Sequence, residues 1–433
     1  MPKSADSHPT GLYVLFFTEM WERFGFYTMI AIFTLYMKAP AAEQGLGLAT
    51  ARAGSFYAIF MGLVYFTPLL GGLAADLLIG ERWAICIGAV SLGGGYFLLA
   101  VPPGEGMLMF YLALGAIVIG NGLFKPNIST MVGKLYPEQS PLRDAGFNIF
   151  YTGINLGAVV APLAASFLRT RWSWQLAFAA AGVGMALSMV VFIAFRAHYA
   201  PALVHHKQEG AGGPAQADSV GFGGRVASLA ILYLVSSMFW TLFFQNGFAL
   251  TLWAKDCTAR PDWLRPEVFQ AVNPTCIVLL SSAAAWVWRR LGERDPSTPD
   301  KILFGLFAAI ATTLVLVAAS LLGGDECLAE GKGVLVSVGW LVATYVMISL
   351  AEILVSPMGL SYCTKVAPRQ LSGLVMGGWF ASLAAGGYLS GLMGSRLWDV
   401  LPHSTYFGIL AGCMLVVSVL LLTVRGILKT AAR

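Results

Sequence analysis

The chain has 433 residues, 57% of them hydrophobic and 11% charged, with a mean hydropathy of +0.72 and a formal net charge of +5. Soluble globular domains average about 25% charged residues, so this composition excludes one.

A membrane-spanning helix needs ~20 mostly apolar residues. Twelve segments meet that need, at 11–38, 51–79, 82–101, 106–133, 143–168, 174–196, 226–254, 268–291, 301–323, 333–363, 370–398 and 404–428. None has the short, strictly alternating pattern of a barrel strand, which leaves a helical bundle as the spanning solution. The expected fold class is an all-α membrane protein of twelve transmembrane helices. The opening stretch, MPKSADSHPTGLY, lacks a basic start followed by a short apolar core. The first span is therefore expected to persist as a helix and not to be cleaved as a signal.

In chain order, the first span carries the most chemistry. Glu19, Glu22 and Arg23 fall at i, i+3 and i+4, so they share one helix face, with Tyr27 one turn further on. A charge at the bilayer centre costs ~2.5–3.5 kcal/mol on insertion scales, and such residues usually mark a substrate or proton path. Two carboxylates within one turn cannot both ionise easily in a low dielectric, so the cluster can take up and release a proton. Between spans two and three, Gly72, Asp76, Gly80 and Arg82 have the spacing of the major facilitator loop signature, with Asp76 positioned to cap or pair. The fourth span brings Lys125, followed by Pro126. With both acids ionised, Glu19, Glu22, Arg23 and Lys125 sum to zero. Protonating one acid leaves a net positive site that attracts an anionic group such as a substrate carboxylate. The tenth span adds a lone acid, Glu352.

Residues 197–225 are rich in Gly, Ala and His and read as a linker. The expected organisation is a cytoplasmic N-terminus (1–10), a six-helix bundle (11–196), the linker, a second six-helix bundle (226–428) and a cytoplasmic C-terminus (429–433). This six-plus-six plan resembles the major facilitator fold, whose site lies near mid-membrane between the halves. Sixteen Lys and Arg fall on the side of the termini against nine on the other, which sets both termini in the cytoplasm. That asymmetry explains the net charge without a nucleic-acid partner.

Cys86, Cys276, Cys363 and Cys413 lie in or beside helices, where Cys acts as a small apolar residue. Cys257 and Cys327 lie in the two long outer loops, and the sequence leaves open whether they pair. No CxxC or His-rich cluster points to a metal, and no cofactor other than the proton is implied. All five His (His8, His198, His205, His206 and His403) fall in expected loops, which leaves no helix histidine to relay protons.

Taken together, E-x-x-E-R-F-x-x-Y from Glu19, Lys125-Pro126, and Phe150-Tyr151-Thr-Gly-Ile-Asn155-Leu-Gly157 resemble the signatures of the proton-dependent oligopeptide transporter family, within the major facilitator superfamily. Phe239-Trp240 with Gln245, Asn273-Pro274, the Glu352 to Ser361 stretch, and Met376-Gly377-x-Trp379-Phe380 extend the match in family order. The resemblance implies proton-coupled import of di- and tripeptides by alternating access. It assigns Glu19, Glu22, Arg23 and Lys125 to proton coupling and carboxylate binding. Tyr27, Tyr65 and Asn155 match pocket positions of the first half, and Trp240, Asn273, Glu352, Trp379 and Ser382 those of the second. A zwitterionic peptide suits this set, with Arg23 and Lys125 for its carboxylate and Glu352 for its amine. The implied partners are a small peptide, protons and the lipid bilayer of a bacterial inner membrane, with no obligate protein partner.

Two departures stand out. The family usually has Arg where Ile30 stands, and an acid where Phe244 stands; the two can pair there as a gate. Their joint loss points to an apolar gate at Ile30 and Phe244. Gly387-Tyr388 also replaces the common Gly-Asn. Other readings are a family member that carries nitrate, a modified peptide or a peptide-like drug, a drug/proton antiporter, and a transporter-like peptide receptor. An inorganic anion has no use for Glu352, an antiporter none for a carboxylate site opposite an acid, and the intact E-x-x-E-R argues against a receptor. An enzyme is not expected, since no nucleophile–base constellation or phosphate loop appears.

Overall fold

The computed structural model describes residues 7–104, 106–137, 140, 142–200, 222–323, 334–367 and 371–431. The long helices are α1 (Thr10–Lys38), α2 (Thr50–Ala74), α3 (Glu81–Leu99), α4 (Leu108–Lys134), α5 (Arg143–Arg171) and α6 (Trp174–Ala194). After the linker come α7 (Phe222–Phe243), α8 (Ala249–Asp256), α9 (Val272–Leu291), α10 (Thr298–Gly323), α11 (Val338–Val366), α12 (Ser372–Leu397) and α13 (His403–Ala431). Each of the twelve expected spans contains a long helix, and among the described residues ten are long and apolar enough to cross a membrane by that measure alone. The two that fall short have physical reasons. Charges lower the hydropathy of α1, and glycines that of α12.

Two spans differ from the continuous helices expected. The second ends in a wide π turn, Ala75–Ile79, closed by Gly80 at φ +77°. The seventh breaks into α7 and α8 around a 3-10 turn at Phe244–Gly247. Asn246-Gly247 is poor helix sequence, and the polar side chains of Gln245 and Asn246 are claimed by other helices. Tyr406 donates to Gln245 Oε1 at 2.8 Å, and Tyr345 to Asn246 Oδ1 at 2.7 Å.

The chain divides into two compact units. One holds Met1–Ile32 and Phe66–Gln216, the other Phe33–Tyr65 and Ala217–Arg433. In the first, Ser188 ties α6 to the Thr18 carbonyl of α1 at 2.6 Å. In the second, Asp300 at the start of α10 pairs with Arg425 (2.5 Å) and Lys429 (2.7 Å) at the end of α13. Two-residue strands β1 (Thr258–Ala259) and β2 (Val336–Ser337) pair in parallel beside Cys257, which is disulfide-bonded. Cys86, Cys276, Cys363 and Cys413 are free. Cys327 and linker residues 201–221 lie outside the described residues.

Large apolar side chains such as Ile59, Val90, Phe167, Leu279, Leu322 and Val416 are exposed along the helices. Such a surface is untenable in water but is the solvated one in lipid.

Candidate transport site

The charged turn of α1 sits inside the first unit, where Glu19, Glu22 and Arg23 are all buried. A glycine makes the fit possible: a Cβ at Gly157 would meet the Met20 carbonyl and the Phe24 nitrogen, so α5 lies directly against this turn of α1. Arg23 grips Glu22 with two parallel bonds, Nε to Oε2 at 2.5 Å and Nη2 to Oε1 at 2.6 Å. This fork geometry is the strongest form of carboxylate pairing. Glu19 Oε1 lies 3.6 Å from Arg23 Nε and 3.3 Å from Lys125 Nζ. The other oxygen, Glu19 Oε2, is buried without a hydrogen-bond partner among the described residues. The guanidinium carbon also sits 4.9 Å from the Phe26 ring centre and 6.0 Å from that of Tyr27.

Lys125 reaches this cluster because α4 runs on through Pro126. Proline removes a backbone donor there, and the next residue, Asn127, donates its Nδ2 to the Leu123 carbonyl at 2.6 Å. Asn121, one turn before Lys125 on α4, accepts from Arg23 Nη2 at 3.3 Å. No motif of the sequence marks Asn121. Its only signal is the i, i+4 spacing to Lys125.

In the second unit, Asn273 of α9 donates to Glu352 Oε2 of α11 at 2.9 Å and to Ser349 Oγ at 3.0 Å. Glu352 thus has a neutral partner and no ion pair among the described residues. Trp240 stacks on Phe244 with centroids 5.5 Å apart, and its buried indole N–H has no acceptor among the described residues. Tyr65 packs on the same Phe244 at 4.9 Å, so it belongs with this unit. The Trp379 ring fills the notch over Gly359. Ser382 Oγ is 2.6 Å from the Trp379 carbonyl and 2.8 Å from Ser236 Oγ, which engages its hydroxyl within the bundle. In the first unit Asn155 donates to the Tyr151 carbonyl at 2.9 Å.

Ile30 and Phe244 are both buried, one in each unit. Asp76 is exposed, without an ion pair among the described residues, and Arg82 lies over its neighbour Trp83. The bridge near that loop is Glu81 to Lys134 at 2.6 Å, which ties the start of α3 to the end of α4.

The sequence profile of the POT family matches residues 82–207 and 223–400. The chain is a member of the POT family. It is 30% identical to the peptide transporter YePEPT of Yersinia enterocolitica over 91% of this chain and 90% of that one. It is also 30% identical to a di-/tripeptide transporter of Lactococcus lactis over 87% of each. A crystal structure of peptide transporter POT in complex with sulfate superposes with a TM-score of 0.86 at 31% identity, over 99% of this chain and 97% of that one. A mutant of that transporter was solved with alafosfalin, again at a TM-score of 0.86 and 31% identity, with the same coverage. The fold is accordingly the twelve-helix major facilitator fold of two six-helix bundles, in a multi-pass membrane protein of a transporter family.

Proposed function

We propose that this chain is a proton-coupled symporter that imports di- and tripeptides by alternating access, with both termini in the cytoplasm of a bacterial cell. The observation that carries this reading is the charged quartet on α1 and α4, with Glu19, Glu22 and Arg23 buried and Lys125 partly exposed. Two cations and two acids balance, and one carboxylate oxygen, Glu19 Oε2, has no hydrogen-bond partner among the described residues. Buried polar atoms are nearly always satisfied, so an exception asks for a use. A proton on that oxygen frees positive charge on Arg23 and Lys125 for a peptide carboxylate, which links proton uptake to substrate uptake.

Glu352 supports the substrate class. A half-buried acid whose hydrogen-bond partner is the neutral Asn273 side chain has no cation beside it among the described residues, and the free amine of a peptide supplies one. Nitrate gives this group nothing to bind. Aromatic surfaces at Trp240, Tyr65 and Phe244 offer walls that tolerate varied side chains. Relatives named as peptide and di-/tripeptide transporters agree with the reading.

The test is competition for labelled dialanine uptake in proteoliposomes. Unlabelled dipeptides and tripeptides should compete strongly. N-acetylated or C-amidated dialanine should compete weakly, and nitrate not at all. Equal competition by the blocked peptides contradicts a site that reads both ends.

A further inference from the structure

The break in the seventh span disturbs the helical hydrogen-bond ladder. Phe248 N turns to the Gln245 carbonyl at 3.1 Å, so the Phe244 carbonyl loses its usual acceptor role toward residue 248. Tyr57 of α2 fills the gap, donating its hydroxyl to the Phe244 carbonyl at 2.8 Å. Thr34 of α1 donates to the Gly247 carbonyl, at the other end of the same turn, at 2.5 Å. Both donors are buried, so these bonds do not compete with bulk water.

The turn itself is anchored from its other side. Its Gln245 and Asn246 side chains are held by Tyr406 and Tyr345, from α13 and α11. It therefore stays with the later helices whether or not Thr34 and Tyr57 hold on. The ends of α1 and α2 are also drawn in closely: a Cβ at Gly391 of α12 would strike the Ala58 backbone. Residues 33–65 accordingly belong to the same compact unit as α7 to α13. Phe244 is apolar, so its side chain offers no ion pair at this turn.

We propose that Thr34 and Tyr57 are gating residues of the transport cycle. Their hydroxyl bonds to the Gly247 and Phe244 carbonyls hold the end of the bundle remote from the termini shut, and these bonds break when it opens. Calling that end the outer one rests on the orientation given under the proposed function; the bonds themselves do not. Directional bonds to backbone suit a gate, because the acceptors stay fixed while the donors leave on α1 and α2.

The test is amide hydrogen exchange on the full-length protein in nanodiscs, without peptide or proton gradient. Tyr57→Phe and Thr34→Val remove the hydroxyls with little change of shape, and Thr34→Ser keeps one. Loss of each hydroxyl should speed exchange at residues 50–62 and 244–256 by about threefold to tenfold, the worth of one net hydrogen bond. Thr34→Ser should match wild type. Unchanged exchange in both single variants overturns the proposal. So does an equal acceleration along α3, which reports a weakened fold and not a released gate. Because no substrate or proton gradient enters the assay, a failure of the gate and a failure of peptide import are read separately.

Discussion

Lys125→Ala separates proton coupling from substrate movement. Glu19 is fully buried and has two cations in reach, Lys125 at 3.3 Å and Arg23 at 3.6 Å. Arg23 is already committed, through its two-bond grip, to Glu22. Removing Lys125 therefore leaves Glu19 sharing a single cation with a better-placed rival. Deleting one partner of a buried pair typically costs about 3–5 kcal/mol. At ~1.4 kcal/mol per tenfold, that disfavours the ionised cluster by more than about a hundredfold. The cheapest relief is for the cluster to keep a proton, and a proton that is never released cannot couple. In proteoliposomes, Lys125→Ala should lose gradient-driven accumulation of labelled dialanine. It should retain counterflow exchange, which moves no net proton. Lys125→Arg should recover part of the accumulation. Gradient-driven uptake at the wild-type rate in Lys125→Ala would refute the reasoning.

Glu22→Gln should behave in the same way, folded and able to exchange peptide but unable to concentrate it, because the fork on Arg23 loses its charge; unimpaired accumulation would remove Glu22 from the coupling set. Glu352→Gln should weaken binding of free peptides roughly ten- to hundredfold, the worth of ~1.5–3 kcal/mol for one charge-assisted contact, and leave N-acetylated peptides little changed. An equal loss for both would place the amine elsewhere. Asn121→Leu should raise the KM for dialanine more than it lowers the maximal rate, since Arg23 loses its tie to α4. Asn121→Ser, which keeps an oxygen acceptor, should restore much of the affinity, and a KM indifferent to both changes would leave Asn121 without a positioning role.

The parts of this protein legible in the sequence are those written as side-chain type and spacing. Glu19, Glu22 and Arg23 stand at helical intervals in an otherwise apolar span, so their shared face and mutual pairing follow from helix geometry. Lys125 needed one further step, that a charge in a span avoids lipid, and its contact with Glu19 agrees. Thr34 and Tyr57 were not legible. Hydroxyl residues in helices commonly bond back to their own turn, as Thr18 does with the Val14 carbonyl. Here their acceptors are backbone carbonyls of another span, and no side-chain pattern reports those. The break between α7 and α8 was hidden for a related reason. Apolar residues continue on both sides of Phe244–Gly247, so the hydropathy of the segment reads as one span. Asp76 has the spacing of a motif, while the ion pair seen near that loop among the described residues runs between Glu81 and Lys134.

The central claim is that a proton gradient drives peptide uptake through this chain. Purified protein in proteoliposomes, given labelled dialanine with and without an inward proton gradient, tests it most directly. Accumulation above the external concentration is expected when the gradient is present, and only equilibration when it is collapsed. Accumulation that survives collapse of the gradient, or no dialanine uptake under either condition, would contradict it.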